Sequence, residues 1–110
     1  MEEQSQESSS GGSFALFITF KLTGEVREAS LSCSFAGESD LDPARACQQL
    51  RAADGHIERI PPASGVCTAE VNPVILRASG TWNGAPRDFE KEFSNLCVGV
   101  RDTGGVIFDF

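Results

Sequence analysis

The sequence predicts a single α+β domain that is cross-linked by disulfides. Three observations lead to this class: about five strand-like segments, one or two helical segments, and an even number of widely spaced cysteines. The chain has 110 residues, which is the usual length of one domain. We therefore take the elements in order along a single folding unit.

The chain opens with a polar tail. Residues 1–13 are rich in Glu, Gln, Ser and Gly, and this composition predicts disorder. The apolar run Phe14–Leu22 predicts the first strand, and Gly24 marks a turn. The alternation within Val26–Phe35 predicts a second strand, antiparallel to the first. We expect the domain itself to cover residues 14–110.

A loop and then a helix are predicted next. Ala36–Leu41 is assigned to the loop, Asp42 is a favourable N-cap, and Pro43 suits the first helical position. Gly55 is expected to end the helix. The apolar face repeats at helical spacing and consists of Ala46, Cys47, Leu50 and Ala53.

The second half of the chain predicts a hairpin. Val74–Ser79 is assigned to one strand, and Asn83–Gly84 is a strong signal for a two-residue hairpin turn. Arg87–Phe93 is the partner strand, followed by a short helical turn within Ser94–Val100. Val106–Phe110 is predicted to end the chain as a last strand.

The four cysteines indicate two disulfides in a secreted domain. They are Cys33, Cys47, Cys67 and Cys97, and their spacing leaves all three pairings open. No two of them form a Cys-x-x-Cys pair, and His56 is the only histidine. The sequence therefore gives no reason to expect a metal or another cofactor.

Charge and hydropathy exclude several kinds of partner. The net charge is −7, so no basic surface is expected for nucleic acid or for an anionic membrane. No run of apolar residues is long enough to span a bilayer. Met1–Gly12 has neither the basic nor the apolar region of a signal peptide, so a secreted protein would have a signal that is absent from this numbering.

The segment Ser64–Pro73 is the strongest candidate for a functional site. A disulfide at Cys67 would hold one end, while Pro73 fixes its own backbone and biases Asn72 toward an extended shape. A short extended segment held at both ends has the shape that a protease cleft binds. No arrangement of Ser, His and Asp suggests catalysis, so we expect an inhibitor and not an enzyme.

The chain resembles the Streptomyces subtilisin inhibitors from about Ala15 to Phe110. The resemblance rests on six short motifs in the same order as in that family. They are Leu31-Ser-Cys-Ser34, Pro43-Ala-Arg-Ala-Cys47-Gln-Gln-Leu50, Cys67 with Asn72-Pro73-Val74, Gly80-Thr-Trp82-Asn-Gly84, Phe93-Ser-Asn-Leu-Cys97 and Val106-Ile-Phe108-Asp-Phe110.

The resemblance implies a fold and a partner. The fold is a five-stranded antiparallel sheet with one or two helices packed on one face and the disulfides Cys33–Cys47 and Cys67–Cys97. Members of the family are secreted, are commonly homodimers that associate through the sheet face, and inhibit serine proteases, mainly subtilisin-like ones. The expected partners are therefore a secreted serine protease and a second copy of the chain.

The resemblance also implies the position of the reactive site. In the family the scissile bond lies between the second and third residues after the third cysteine, which is Ala69–Glu70 here. The residue before this bond, position P1, is Ala69. The expected protease contacts, from P4 to P2′, are Val66, Cys67, Thr68, Ala69, Glu70 and Val71.

The side chains at this site differ from the family's common pattern. Many members carry Met, Lys or another long residue at P1 and an apolar residue at P1′. Ala69 suits a small or shallow S1 pocket, as in an elastase-like or a broad subtilisin-like enzyme. Glu70 favours targets with a basic rim on the primed side.

Two other functions fit the sequence. The first is a protein of the same fold that is the partner or inhibitor of another secreted enzyme, such as a transglutaminase or a metalloprotease. The second is an unrelated disulfide-bonded binding module that holds a sugar or a cell-surface ligand at Trp82. Inhibition of subtilisin with slow cleavage after Ala69 would separate both from a serine protease inhibitor.

Overall fold

Four strands and two α-helices make up the part of the chain that the computed structural model describes, residues 11–33 and 43–110. In chain order they are β1 (Gly12–Phe20), β2 (Val26–Ser32), α1 (Pro43–Ala52), a 3₁₀ turn (Ile57–Arg59), β3 (Val74–Trp82), β4 (Ala85–Phe93) and α2 (Leu96–Asp102). Neither helix is long and apolar enough to cross a membrane, and the described residues contain no other α-helix.

The strands form one antiparallel sheet in the order β2-β1-β3-β4. Alternation along β1 turns Leu16 and Ile18 to the inner face, where both are fully buried. The register places Leu16 opposite Ala78 and Ile18 opposite Leu76, so β1 and β3 bury their apolar side chains together. These central strands provide the middle of the core.

α1 and the end of the chain also contribute to the core. The buried cluster around the sheet also contains Ala46, Cys47 and Leu50 of α1, together with Ile107 and Phe108. The spacing of the α1 residues is the helical spacing that the sequence predicts. The helix is therefore amphipathic, and its apolar face contributes directly to the core.

The predicted fifth strand is wrong, because Val106–Phe110 forms turns and no strand. Gly104 and Gly105 precede it with φ of 102° and 86°, a backbone shape that redirects the chain. Ile107 and Phe108 are still completely buried, and the Phe108 ring centroid lies 6.2 Å from that of Phe89. The segment thus buries its apolar side chains against the sheet without pairing with it.

The predicted boundary between the tail and the first strand shifts toward the N-terminus. β1 begins at Gly12, so two residues that we assigned to the tail belong to the sheet. Cys33 N donates to Gly12 O at 2.7 Å, and Gly11 N donates to Asn83 Oδ1 at 2.9 Å. The remaining tail, residues 1–10, lies outside the described residues. So does the segment 34–42, with the predicted loop Ala36–Leu41 and the predicted N-cap Asp42.

Candidate functional site

The segment between the 3₁₀ turn and β3 is an exposed stretch of irregular chain. Residues 61–73 have no regular secondary structure. Val66 and Val71 are 98% and 76% exposed, although isolated valines gain free energy when they are buried. The six predicted contact residues, Val66 to Val71, lie together here as one continuous strip, which we call the exposed loop.

A disulfide holds the first half of the exposed loop against α2. Cys67 is bonded to Cys97, and the other two cysteines, Cys33 and Cys47, are bonded to each other. These are the two pairs that the family resemblance implies. Because Cys97 belongs to a helix, the backbone of the loop at Cys67 is attached to a rigid element.

The buried side chain of Asn95 supports the centre of the exposed loop. Its Nδ2 donates to the carbonyl oxygen of Thr68 at 3.3 Å and to that of Glu70 at 2.7 Å. Asn95 is 4% exposed, so these bonds are shielded from competing water. The backbone is thus held on both sides of Ala69.

Asn95 is itself fixed by the start of α2. It is the N-cap residue of this helix, and its Oδ1 accepts from Val98 N at 2.9 Å. Since the oxygen of the amide is used by the helix, the nitrogen is turned toward the loop. Asn95 was not among the site residues predicted from the sequence, although an Asn directly before a helix is a recognisable N-cap signal.

The two ends of the irregular segment are also attached to the domain. Ala63 N donates to Arg101 O at 2.8 Å, and Asn72 N donates to Ser94 O at 2.9 Å. Between the first of these bonds and the disulfide lies Gly65, with φ of 140° and open space around its Cα. This conformation is one that residues with a side chain rarely adopt.

Ala69 is exposed at the centre of this supported loop. Among the residues that the structure describes, neither its N–H nor its carbonyl oxygen has a hydrogen-bond partner. The neighbouring carbonyls of Thr68 and Glu70 are bound to Asn95, whereas the Ala69 carbonyl is left available. The arrangement can therefore present the Ala69–Glu70 peptide group to a second protein.

The alternative ligand site at Trp82 does not have the required exposure. Trp82 is 1% exposed and packs against Gly55, leaving no space for a side chain at position 55. An aromatic ring that binds sugars has to present a face to solvent. Trp82 is therefore a residue of the core, which argues against the alternative of a sugar or cell-surface ligand at this ring.

Comparison with known proteins adds a family match. A family model described as "Subtilisin inhibitor-like" matches residues 17–95. The protease inhibitor SIL-V1/SIL-V4 of Streptomyces netropsis is 35% identical over 91 residues, which cover 80% of this chain and 82% of that protein. The subtilase-type protease inhibitor of Streptomyces fradiae is 38% identical over 87 residues, covering 76% of this chain and 61% of that protein.

Two further similar proteins differ in what their names say they bind. The transglutaminase-activating metalloprotease inhibitor of Streptomyces mobaraensis is 34% identical over 90 residues, covering 79% of this chain and 60% of that protein. The crystal structure of Streptomyces caespitosus sermetstatin in complex with Bacillus licheniformis subtilisin matches with a TM-score of 0.64 and 29% identity. This match covers 84% of the present chain and 92% of that one.

Proposed function

This chain belongs to the subtilisin inhibitor-like family, and from that premise we propose that it is a secreted inhibitor of serine proteases that binds its target as a substrate does. The exposed loop enters the cleft, and Ala69–Glu70 is the scissile bond. The observation that carries this proposal is the support by Asn95 of both carbonyls that flank Ala69. The family consists of inhibitors, so the chain is not an enzyme.

Binding uses the backbone of the exposed loop as an added strand. An extended segment can pair with the edge of the protease cleft through main-chain hydrogen bonds, which provide affinity for any sequence. The loop is already held at Cys67 by a disulfide and at Thr68 and Glu70 by Asn95. Little conformational entropy is then lost on binding, and this is what favours a rigid loop over a flexible substrate.

The same restraints explain why the bound loop would be cut slowly. Attack by the protease serine on the Ala69 carbonyl forms an acyl-enzyme and releases the amino group of Glu70. Asn95 still holds the Glu70 carbonyl, and Asn72 N still donates to Ser94 O. The released amine thus remains next to the acyl group, and re-formation of the peptide bond competes with hydrolysis.

The side chains of the loop favour a small S1 pocket. Ala69 offers one methyl group, which fits elastase-like or broad subtilisin-like enzymes and provides no charge for a trypsin-like pocket. Val66 and Val71 are the large apolar side chains of the loop, and both are free to enter hydrophobic pockets on either side of S1. Glu70 adds a preference for a basic primed-side rim.

The proposal includes secretion and a homodimer. Secretion is supported by the two disulfides, which are typical of oxidising compartments. The dimer would form through the outer face of the sheet, where Phe17 is half-buried under the Arg77 guanidinium, 4.2 Å from the ring centroid. A self-complementary face of this kind is the usual route to a two-fold dimer. Light scattering that finds only monomer at micromolar concentration would contradict it.

The function is tested by titration against subtilisin, an elastase and trypsin. We expect stoichiometric inhibition of subtilisin, followed by slow cleavage that leaves Glu70 as a new N-terminus. A new N-terminus at Val71 would move the scissile bond by one residue and make Glu70 the P1 residue. Rapid cleavage without inhibition would refute the proposed function.

Substitutions at Ala69 test the position of P1. Ala69→Leu should strengthen subtilisin inhibition by about tenfold or more, because each methylene buried in S1 is worth roughly 1 kcal/mol. Ala69→Lys should add trypsin inhibition, and Ala69→Pro should abolish inhibition because the amide N–H needed for strand pairing is lost. The matched control is Ala44→Leu at an exposed position of α1 that lies away from the exposed loop, and it should leave the inhibition constants unchanged.

A second candidate function is inhibition of another secreted enzyme. The observation that favours it is the similarity to a metalloprotease inhibitor that is named for its transglutaminase-activating target. A metalloprotease assay repeated with the exposed loop already occupied by subtilisin would test it. Inhibition that survives the presence of subtilisin would require a contact surface outside residues 66–71.

A further inference from the structure

Two grooves meet beside the first half of the exposed loop. One has a volume of about 570 Å³ and lies between residues 64–67 and α2, while the other, of about 640 Å³, lies between α1 and residues 59–63. Arg45, Ala63 and Gly104 line both grooves and form the wall that they share. We call the two grooves together the Arg45 trough.

The Arg45 trough is basic although the whole chain is acidic. The chain carries nine Lys and Arg residues and a net charge of −7. Arg45, Arg59 and Arg101 all line the trough, whereas Asp109 is its single lining carboxylate among the described residues. Among the described residues that line the trough, positive charges therefore outnumber negative ones, in contrast to the chain as a whole.

Two of these arginines have no charged partner within the described chain. Arg101 is paired with Asp102 at 3.0 Å, but neither Arg45 nor Arg59 forms an ion pair with any residue that the structure describes. Both are exposed. The guanidinium of Arg45 is exposed and has no carboxylate partner among residues 11–33 and 43–110, and such a group can bind a carboxylate of another protein through two parallel hydrogen bonds.

The trough is continuous with the residues that would enter the protease cleft. Ser64, Gly65, Val66 and Cys67 line it, and they directly precede Thr68 and Ala69. An enzyme that holds Val66 to Ala69 in its cleft must also contact the surface of the inhibitor next to Val66. The rim of its non-primed subsites then faces the mouth of the trough.

We propose that the Arg45 trough is a second contact region for the target protease, with Arg45 receiving a carboxylate from the rim of the enzyme's non-primed subsites. This inference rests on the proposed function. Ala69 gives the S1 pocket only one methyl group, so a contact outside the loop carries more of the selectivity than it would beside a long P1 side chain. Charged groups at such a rim act mainly on the association rate and its dependence on salt.

Two charge reversals on the same helix test the proposal. Arg45→Glu and Arg51→Glu each change the net charge by the same amount, and both arginines are exposed residues of α1 without an ion pair in the described chain. Only Arg45 lines the trough. Against subtilisin at low salt, Arg45→Glu should raise the inhibition constant by about fivefold, mainly through slower association. The Arg51→Glu value should stay within about twofold of the wild type.

Salt and chemical labelling provide the second readout. The difference between the two variants should shrink as salt rises, because exposed charges are screened beyond about 10 Å at 0.1 M. Phenylglyoxal labelling followed by mass spectrometry should show Arg45 protected in the complex with subtilisin and Arg51 still reactive. Equal inhibition constants for the two variants, or an Arg45 that stays reactive in the complex, would overturn the proposal.

Other occupants of the trough give different results. If the acidic segment 1–10 lies on Arg45, deleting it will raise the phenylglyoxal reactivity of Arg45 in the free inhibitor. If a second copy covers it, that reactivity will fall as the inhibitor concentration rises. Either result would contradict the proposal that the target protease occupies the trough. If the wild-type protein fails to inhibit subtilisin, the proposed function is refuted together with the role of the trough. If the wild type inhibits subtilisin and the two variants have equal inhibition constants, only the role of the trough is refuted.

Discussion

The two disulfides of this chain cross-link very different surroundings. Cys33–Cys47 joins the end of β2 to α1, and Cys47 is 5% exposed within the main core. Cys67–Cys97 joins the exposed loop to α2, and Cys97 lies at the surface. Their sequence separations are 14 and 30 residues. Loop entropy assigns both bonds similar contributions, between about 3 and 4 kcal/mol.

The comparison separates the stability of the domain from the rigidity of the loop. The entropy of the unfolded chain depends on the sequence separation, so it does not distinguish the two bonds. What differs is the folded structure next to each bond: Cys47 lies in an apolar core, whereas Cys67 belongs to an exposed loop without such packing. We therefore expect one disulfide to matter for folding alone and the other to matter for inhibition as well.

The largest effect should come from removing the disulfide of the loop. In Cys67→Ser/Cys97→Ser, the segment before Ala69 gains conformational freedom that must be lost again on binding. We expect the inhibition constant for subtilisin to rise by about 100-fold or more, because several loop residues must then be ordered on binding at roughly 1 kcal/mol or more each. The protein should also become a substrate that is cut at Ala69–Glu70. Inhibition as tight as the wild type by a folded, disulfide-free loop would remove the basis of the comparison.

Removing the core disulfide should affect stability and leave inhibition intact. Cys33→Ala/Cys47→Ala should lower the free energy of unfolding by about 3 kcal/mol, with a further small loss from the space left beside Leu50. Urea denaturation measures this cost. At temperatures where the variant is folded, its inhibition constant should stay within about twofold of the wild type. A large loss of inhibition here would mean that the two disulfides are coupled.

A smaller effect is expected from Asn95→Asp, which sharpens the comparison within the loop. The carboxylate can still cap α2 at Val98 N, but it has no N–H to give to the carbonyls of Thr68 and Glu70. Each lost hydrogen bond is worth about 1 kcal/mol, so the inhibition constant should rise by tenfold or somewhat more. Kinetic titration with subtilisin measures it.

Asn95→Ala is the matched variant for that experiment. It removes the helix cap in addition to the loop bonds, so its free energy of unfolding should fall about 1 kcal/mol further than that of Asn95→Asp. The two variants should have similar inhibition constants. If Asn95→Asp inhibits like the wild type, the bonds to the loop carbonyls have no part in rigidity.

The smallest effect should come from Gly65→Ala, on the side of the disulfide away from Ala69. The backbone at Gly65 has φ of 140°, which a residue with a side chain adopts at a cost of about 1 kcal/mol or more. No atom obstructs the new methyl group, so the cost is purely conformational. We expect about a fivefold rise in the inhibition constant and little change in melting temperature, whereas Gly84→Ala in the β3–β4 turn, with φ of 83° and equally open space, should leave the inhibition constant unchanged. An unchanged inhibition constant would show that the disulfide isolates Ala69 from this end of the loop.

Much of the fold could be predicted because local patterns determine it. The alternation in β1 and β3 follows burial on one face, and the Asn83–Gly84 signal produces a hairpin turn in which both residues have positive φ. The α1 helix likewise follows its apolar spacing. In each case the residues that carry the signal are neighbours in the chain, so no knowledge of distant contacts is required.

The errors arise where a distant contact decides the outcome. Val106–Phe110 has the composition of a strand, but its burial comes from contacts with the sheet face and with Phe89 after a glycine-rich turn. The role of Asn95 in the site depends on hydrogen bonds to Glu70 and Thr68, which precede it by 25 and 27 positions in the chain. Hydrophobicity predicts that the first segment is buried, and a capping pattern predicts where the second residue sits. Neither signal predicts which residues the segment or Asn95 contacts in the folded protein.

The reach of Asn95 across the proposed scissile bond has a consequence for the lifetime of the inhibitor. Thr68 would belong to the fragment that ends at Ala69, and Glu70 begins the other fragment, so one amide group holds a carbonyl on each side of the break. The bond Cys67–Cys97 also joins the two fragments covalently. A nicked molecule would therefore keep its shape and could re-enter the same complex from the product side. Proteolysis at Ala69–Glu70 would then interconvert an intact and a nicked form of the inhibitor, both of them active, and would not inactivate it.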